Sequence, residues 1–158
     1  MLKEHKYLSK IIWTGNTGKG TESYRGYKRS HEIAVNNKKT IEASSDPAFM
    51  GDEEKHNPEE LFLSSLSSCH MLWYLHLCAN AGIIVTAYSD EATGIMTEGE
   101  AGGGRFTEVI LRPFVTIDND LNITKATKLH DEANKKCFIA NSCNFPVRHI
   151  PVINVIKS

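Results

Sequence analysis

The chemistry open to this sequence starts with four cysteines, Cys69, Cys78, Cys137 and Cys143, and with the histidines His70, His76 and His130 near them. A free thiol with a pKa near 8.5 is only about 3% thiolate at pH 7, and the thiolate is the nucleophile. Thiol chemistry therefore needs a neighbouring positive charge. No Cys-x-x-Cys is present, so a thioredoxin-like pair is not expected. A zinc site on the first cysteine cluster is disfavoured by helix geometry, since ligands must share a face at three or four residue spacing. Cys69 and Cys78 fall about 180° apart on a helix. We expect no metal and no other cofactor, and we read EGEAGGGR as a flexible turn, not a phosphate loop.

Two helices must position the thiols. The first runs from Asn57 to Ile83. Asn57 suits the N-cap, Pro58 the first helical position, and Glu60 the third position of a capping box, with Glu59 and Glu60 at the positive end of the dipole. The stretch LFLSSLSSCHMLWYLHLCANAG then mixes bulky apolar residues and small serines on all sides, and Gly82 ends it. The second helix is capped by Thr124 and ends at Phe138 and Ile139. Ala126, Leu129, Ala133 and Cys137 recur at helical spacing, which puts Cys137 on the inward face. Cys69 and Cys137 can meet if the two helices pack side by side. His130 shares that face two turns earlier and is expected to be packed or hydrogen-bonded; His70 and His76 are expected to be packing or interface residues.

Strands fill the rest. Residues 7–13 form the first, GNTGKGT turns the chain, and Ser23–Val35 and Lys38–Ser44 follow, with Asn36 and Asn37 between them. This places Arg25 and Arg29 on a strand. A polar loop, 45–56, leads to the first helix. Ile84–Met96 is a strand, and Val109, Leu111, Val115 and Ile117 alternate with polar residues as in a half-buried strand, with Pro113 marking an edge or bulge. Ile150–Ile156 is last. The order is β-β-β-α-β-β-α-β, an α+β protein, expected as a single domain over residues 1–158. With 18 basic and 19 acidic residues and a pI near 6.6, nothing favours nucleic acid or an anionic membrane as partner. MLKEHKYLSK lacks a signal-peptide core, so a soluble cytoplasmic protein is expected, in which a disulfide is catalytic and transient.

The segments NPEELFLSSLSSCHMLWYLHLCA and LHDEANKKCFIANSCNFPV resemble the two cysteine motifs of the OsmC/Ohr family, the osmotically induced and organic hydroperoxide resistance proteins. The resemblance extends over nearly the whole chain. It implies the OsmC-like fold, an intertwined homodimer with a central helix packed between sheets and two active sites at the subunit interface, and reduction of peroxides by a cysteine thiol. Carried over residue by residue, it makes Cys69 the peroxidatic cysteine, Cys137 the resolving cysteine and Glu59 the site carboxylate. The family's arginine comes from an early strand, where this chain offers Arg29 and Arg25; counting back from Ser44 favours Arg29. The resolving motif departs from Ala-His-x-x-Cys, with Asn134 in place of the imidazole, and Cys143 is an additional thiol.

Under this reading an arginine stabilises the Cys69 thiolate and Glu59 holds the guanidinium. Glu59 and Cys69 are roughly 15 Å apart along one helix, so either the helix breaks or a second subunit supplies a partner. The expected cycle takes Cys69 to a sulfenic acid and then to a disulfide with Cys137, which an external dithiol reduces. Phe62, Leu66, Leu72 and Trp73 suit an organic hydroperoxide, or form plain core. Two other readings are a non-catalytic dimer of the same fold binding a small apolar ligand, and a disulfide-exchange protein using Cys137 and Cys143.

Overall fold

The computed structural model describes residues 3–100 and 102–156. Ala101, inside the expected EGEAGGGR turn, lies outside the described residues, as do the first two residues of the N-terminal segment. The chain falls into two compact units divided after Leu61. Among the described residues, no helix is long and apolar enough to cross a membrane.

In the first unit β1 (Lys10–Trp13), β2 (His31–Ala34) and β3 (Ile41–Ala43) form an antiparallel sheet in that order. Asn37, at φ 61°, makes the expected turn between β2 and β3. The expected strand from Ser23 is shorter than its composition suggests. Residues 14–30 form a loop tied by its own side chains: Trp13 Nε1 donates to the Lys28 carbonyl at 2.9 Å and Thr17 Oγ1 to that of Gly26 at 2.7 Å. Arg25 and Arg29 therefore sit on this loop and not on a strand.

The helix α1 (Pro58–Asn80) is unbroken over 23 residues. Its capping box forms as the residue types require: Asn57 Oδ1 accepts from the Glu60 amide at 2.8 Å, and Glu60 Oε2 accepts from the Asn57 amide at 3.2 Å. At the far end Gly82 adopts φ 72°. The Ile83 amide bonds to the Cys78 carbonyl and the Gly82 amide to that of Ala79, the two bonds of a Schellman stop.

Within the second unit, the expected strand Ile84–Met96 is two strands, β4 (Val85–Asp90) and β5 (Thr93–Glu98). Its antiparallel partner is also split, into β6 (Gly104–Leu111) and β7 (Pro113–Ile117). β5 pairs with β6 and β4 with β7, so the four are one long hairpin bent across both arms at the same level. Pro113 has no N–H to continue the ladder. Asp90 fills the corner by accepting the Arg112 amide on Oδ1 at 2.6 Å, while Arg112 Nη1 donates to Thr93 Oγ1 at 2.7 Å. The expected last strand bends here too: β8 (Val147–His149) adds parallel to β6, and β9 (Val152–Val155) parallel to β7. One bent ribbon thus yields two three-stranded sheets.

The second helix, α2 (Ile123–Lys136), starts one residue before Thr124, which is not its cap; Asn119 instead caps the 3-10 turn Asp120–Asn122 ahead of it. It stops before Phe138 and Ile139, with Cys137 as C-cap. On α1 the fully buried stripe is Leu66, His70, Tyr74 and Cys78, four residues apart each time. Leu66 packs with Val109 and Leu111 of β6, and Tyr74 and Cys78 pack with Val115 and Ile117 of β7 and Ala126 and Ala133 of α2.

Replacing Asn57 by Ala removes the side-chain acceptor at the start of α1 and is expected to lower stability by about 1 kcal/mol, with Asn57→Asp near neutral. Urea unfolding of both variants measures this.

Candidate functional site

The four cysteines are free thiols. α1 presents Cys69 half-buried; the end of α2 presents Cys137 buried, 1% exposed. The two side chains lie close enough for Cys69 to influence Cys137. Burial, and next the neighbouring Cys69 thiol, push the Cys137 thiol up to about 12, against weaker opposing effects of the Ala140 and Ile139 amides. The Ala140 amide reaches Cys137 Sγ at 3.4 Å. Cys137 is thus a protonated thiol throughout the physiological range, while Cys69 is the one solvent can reach. The other two cysteines stand apart in character. Cys78 is buried, and burial raises its thiol. Cys143 donates from Sγ to the Ile139 carbonyl at 3.3 Å and is raised by burial as well.

Of the apolar residues expected near the thiols, Phe62 and Leu66 belong to the core against β6. Leu72 and Trp73 lie three and four residues beyond Cys69, hence on its side of the helix. Leu72 is 63% exposed. Trp73 packs edge-on against Phe138, the residue after Cys137, with ring centroids 5.8 Å apart, and Phe138 is 71% exposed. Leu72, Trp73 and Phe138 therefore make an apolar surface flanking the two cysteines in sequence and on the helix.

Glu59 and Arg29 belong to the first unit. Glu59 is half-buried in the first turn of α1, and its Oε2 is buried without a hydrogen-bond partner. The Arg29 guanidinium lies between the rings of Tyr24 and Tyr27, 4.3 Å from each centroid, and donates to both of their carbonyls at 2.7 Å. Arg25 is exposed. Among the described residues, no group of three or more His, Cys, Asp and Glu is arranged to hold a metal.

A histidine pair joins the same two helices. His70 Nε2 and His130 Nδ1 are 2.9 Å apart, and both residues are 0% exposed. His130 also stacks on Tyr74, at 3.8 Å between centroids. His149 of β8 lies beside them, 5.5 Å from His70 and 6.2 Å from His130, with its Nε2 on Asp131 Oδ1 at 3.0 Å. His130 is packed and hydrogen-bonded as its helical face suggested, and His70 is packed too; His76 is exposed beside Asn80. Asn134, in the place of the missing imidazole, donates to the Val147 carbonyl at 3.2 Å. The pairing of His70 with His130 was not anticipated; the signal for it was a histidine on the buried stripe of each helix.

Burial, and then His149, lower the His70 imidazole to about 4; burial, then His70 and His149, lower His130 to about 3. Unfolded histidine titrates near 6.5, so between those values the unfolded chain binds more protons than the folded one. Stability from this pair is complete above about pH 6.5 and is lost as pH falls toward 4 and 3. The melting temperature is expected to hold from pH 8 to 7 and to drop by several degrees between pH 6.5 and 4.5. The drop should shrink in the double variant His70→Phe, His130→Phe, measured by circular dichroism.

Comparison with known proteins gives a consistent result. A family model described as OsmC-like protein matches residues 51–150. A curated relative, an uncharacterized protein of Methanocaldococcus jannaschii, is 32% identical over 94 residues, 57% of this chain; the match spans 46% of that relative's length. A solved OsmC-like protein of unknown function from Vibrio cholerae superposes with a TM-score of 0.83 at 30% identity, over 94% of this chain and 100% of the other. An organic hydroperoxide resistance protein from Elizabethkingia anophelis superposes with a TM-score of 0.69 at 16% identity, over 99% and 100%. The corresponding protein of Bacillus subtilis gives 0.58 at 18%, over 94% and 98%. At these last two identities the likeness shows a shared fold.

Proposed function

This chain belongs to the OsmC-like family, and from that premise we propose that it is a thiol-dependent peroxidase that reduces organic hydroperoxides. The observation that carries the reading is the proximity of Cys69 and Cys137, delivered by different helices with one thiol reachable and the other buried and protonated. The Cys69 thiolate attacks the O–O bond, the alkoxide leaves as an alcohol after taking a proton, and Cys69 becomes a sulfenic acid. The Cys137 sulfur then displaces the hydroxyl, whose departure as water takes the Cys137 proton. An external dithiol returns both thiols. The apolar surface of Leu72, Trp73 and Phe138 suits an organic peroxide better than hydrogen peroxide.

The reading includes a homodimer. α1 is unbroken, so Glu59 and Cys69 stay roughly 15 Å apart along it. An unbroken helix supports the second of the two alternatives, in which another copy supplies a partner. The unpartnered buried oxygen of Glu59 is an acceptor that a guanidinium satisfies, and Arg29 is the residue we assign to it, with N–H donors beyond the two it uses on Tyr24 and Tyr27.

The test is intact mass and peptide mapping after a slight excess of cumene hydroperoxide is added to the reduced protein. A Cys69–Cys137 disulfide is the expected product; unreacted thiols would remove the peroxidase reading. In steady-state assays Cys69→Ser is expected to fall to background. Cys137→Ser is expected to complete the first oxidation once and stop at a sulfenic acid that dimedone labels.

A further inference from the structure

We propose that the buried His70–His130 hydrogen bond is a strut between α1 and α2 that holds Cys69 and Cys137 in register for disulfide closure, making both histidines positioning residues of the second chemical step. The inference rests on the peroxidase reading for its biological use, but its geometry stands alone. His70 directly follows Cys69 on α1. His130 precedes Cys137 on α2 by seven residues, two turns on the same face. The helices meet along the imidazole pair, the stack of Tyr74 on His130, and the packing of Tyr74 and Cys78 against Ala126 and Ala133, with Cys69 and Cys137 close by; of these the imidazole pair is a buried hydrogen bond with a required angle. Apolar packing tolerates small shifts of one helix on the other; a buried hydrogen bond made by the residue next to Cys69 opposes them.

The imidazole contact resists sliding in a way an apolar contact does not. A hydrogen bond at 2.9 Å weakens steeply when its angle closes, whereas an aliphatic contact shifted by an ångström keeps most of its burial. The ring of His130 is held twice on consecutive turns of α1, by the bond to His70 and by the stack on Tyr74. Both imidazoles are neutral at physiological pH, so one N–H lies between the two nitrogens and donor faces acceptor. The outer nitrogens, His70 Nδ1 and His130 Nε2, are buried without partners. A pair with two unsatisfied buried nitrogens is a poor way to fill a core; what it adds over aliphatic residues is direction. The step it serves is balanced within the chain: the S–S bond forms, the S–O bond of the sulfenic acid breaks, and the Cys137 proton leaves with the hydroxyl as water. Closure must bring the sulfurs to about 2.05 Å, which leaves little tolerance in helix position.

The experiment separates the two steps. His130→Phe keeps a ring for Tyr74 and deletes the Nδ1 atom, while His130→Asn restores a polar atom where Nδ1 stood. After a pulse of cumene hydroperoxide, His130→Phe is expected to form sulfenic acid at the wild-type rate and to close the disulfide about tenfold more slowly or worse, with dimedone capturing Cys69. His130→Asn is expected to recover closure. Wild-type closure in His130→Phe, or equal slowing of both steps, overturns the strut. If circular dichroism shows that His130→Phe is unfolded, His70→Phe against His70→Gln asks the same question from α1. A parallel oxidation by diamide, which joins two thiols without a peroxide, distinguishes the two proposals. Slow diamide closure in His130→Phe with a wild type inert to hydroperoxide sustains the strut and removes the peroxidase reading; equal diamide closure removes the strut.

Discussion

The second unit depends on one stripe of side chains. Leu66, His70, Tyr74 and Cys78 recur every fourth residue along α1, and each is essentially inaccessible to solvent. A helix of 23 residues is about 35 Å long, more than one three-stranded sheet covers. The stripe is accordingly shared: Leu66 packs on β6, and Tyr74 and Cys78 pack on β7 and on α2. His70 falls between the two clusters, where a bulky aliphatic residue would be ordinary and an imidazole is not. Its partner from α2 makes the middle of the helix polar and directional, one residue from the cysteine on which the proposed chemistry turns.

The sheets meet this requirement by bending. The hairpin of β4 to β7 bends across both arms, and the C-terminal strand bends beside it, so each half of the ribbon faces a different length of α1. Asp90 and Arg112 stabilise the bend by satisfying backbone groups that the broken ladder releases. Parallel addition of β8 and β9 brings the chain back past α2, which places His149 beside the histidine pair and Asn134 against Val147.

Much of this was legible in the residues, and the boundary follows the range of the interactions. The capping box at Asn57 and the glycine stop at Gly82 depend on neighbours three to five residues away and are as expected. So are the inward face of Cys137 and the α+β class, which rest on periodicity. The split of the Ile84–Met96 and 106–117 strands was not legible. Apolar alternation continues through the bend, and only the position of Pro113 hinted at it. Tyr24 and Tyr27 suggested a strand through Arg25 and Arg29 because aromatics favour strands; their rings are instead spent on the Arg29 guanidinium in a loop. The histidine pair required knowing that two stripes sixty residues apart face each other.

The burial of Cys137 has a consequence for the electrical balance of the site. A thiol that keeps its proton up to about 12 is never a thiolate in a cell, so reduction of any disulfide that Cys137 makes must deliver a proton to it along with the electrons. For a two-electron couple one such proton lowers the reduction potential by about 30 mV for each unit of rising pH. The depth at which one sulfur lies thereby ties the driving force for resetting the protein to the acidity around it: acid eases reduction, and alkali favours the disulfide.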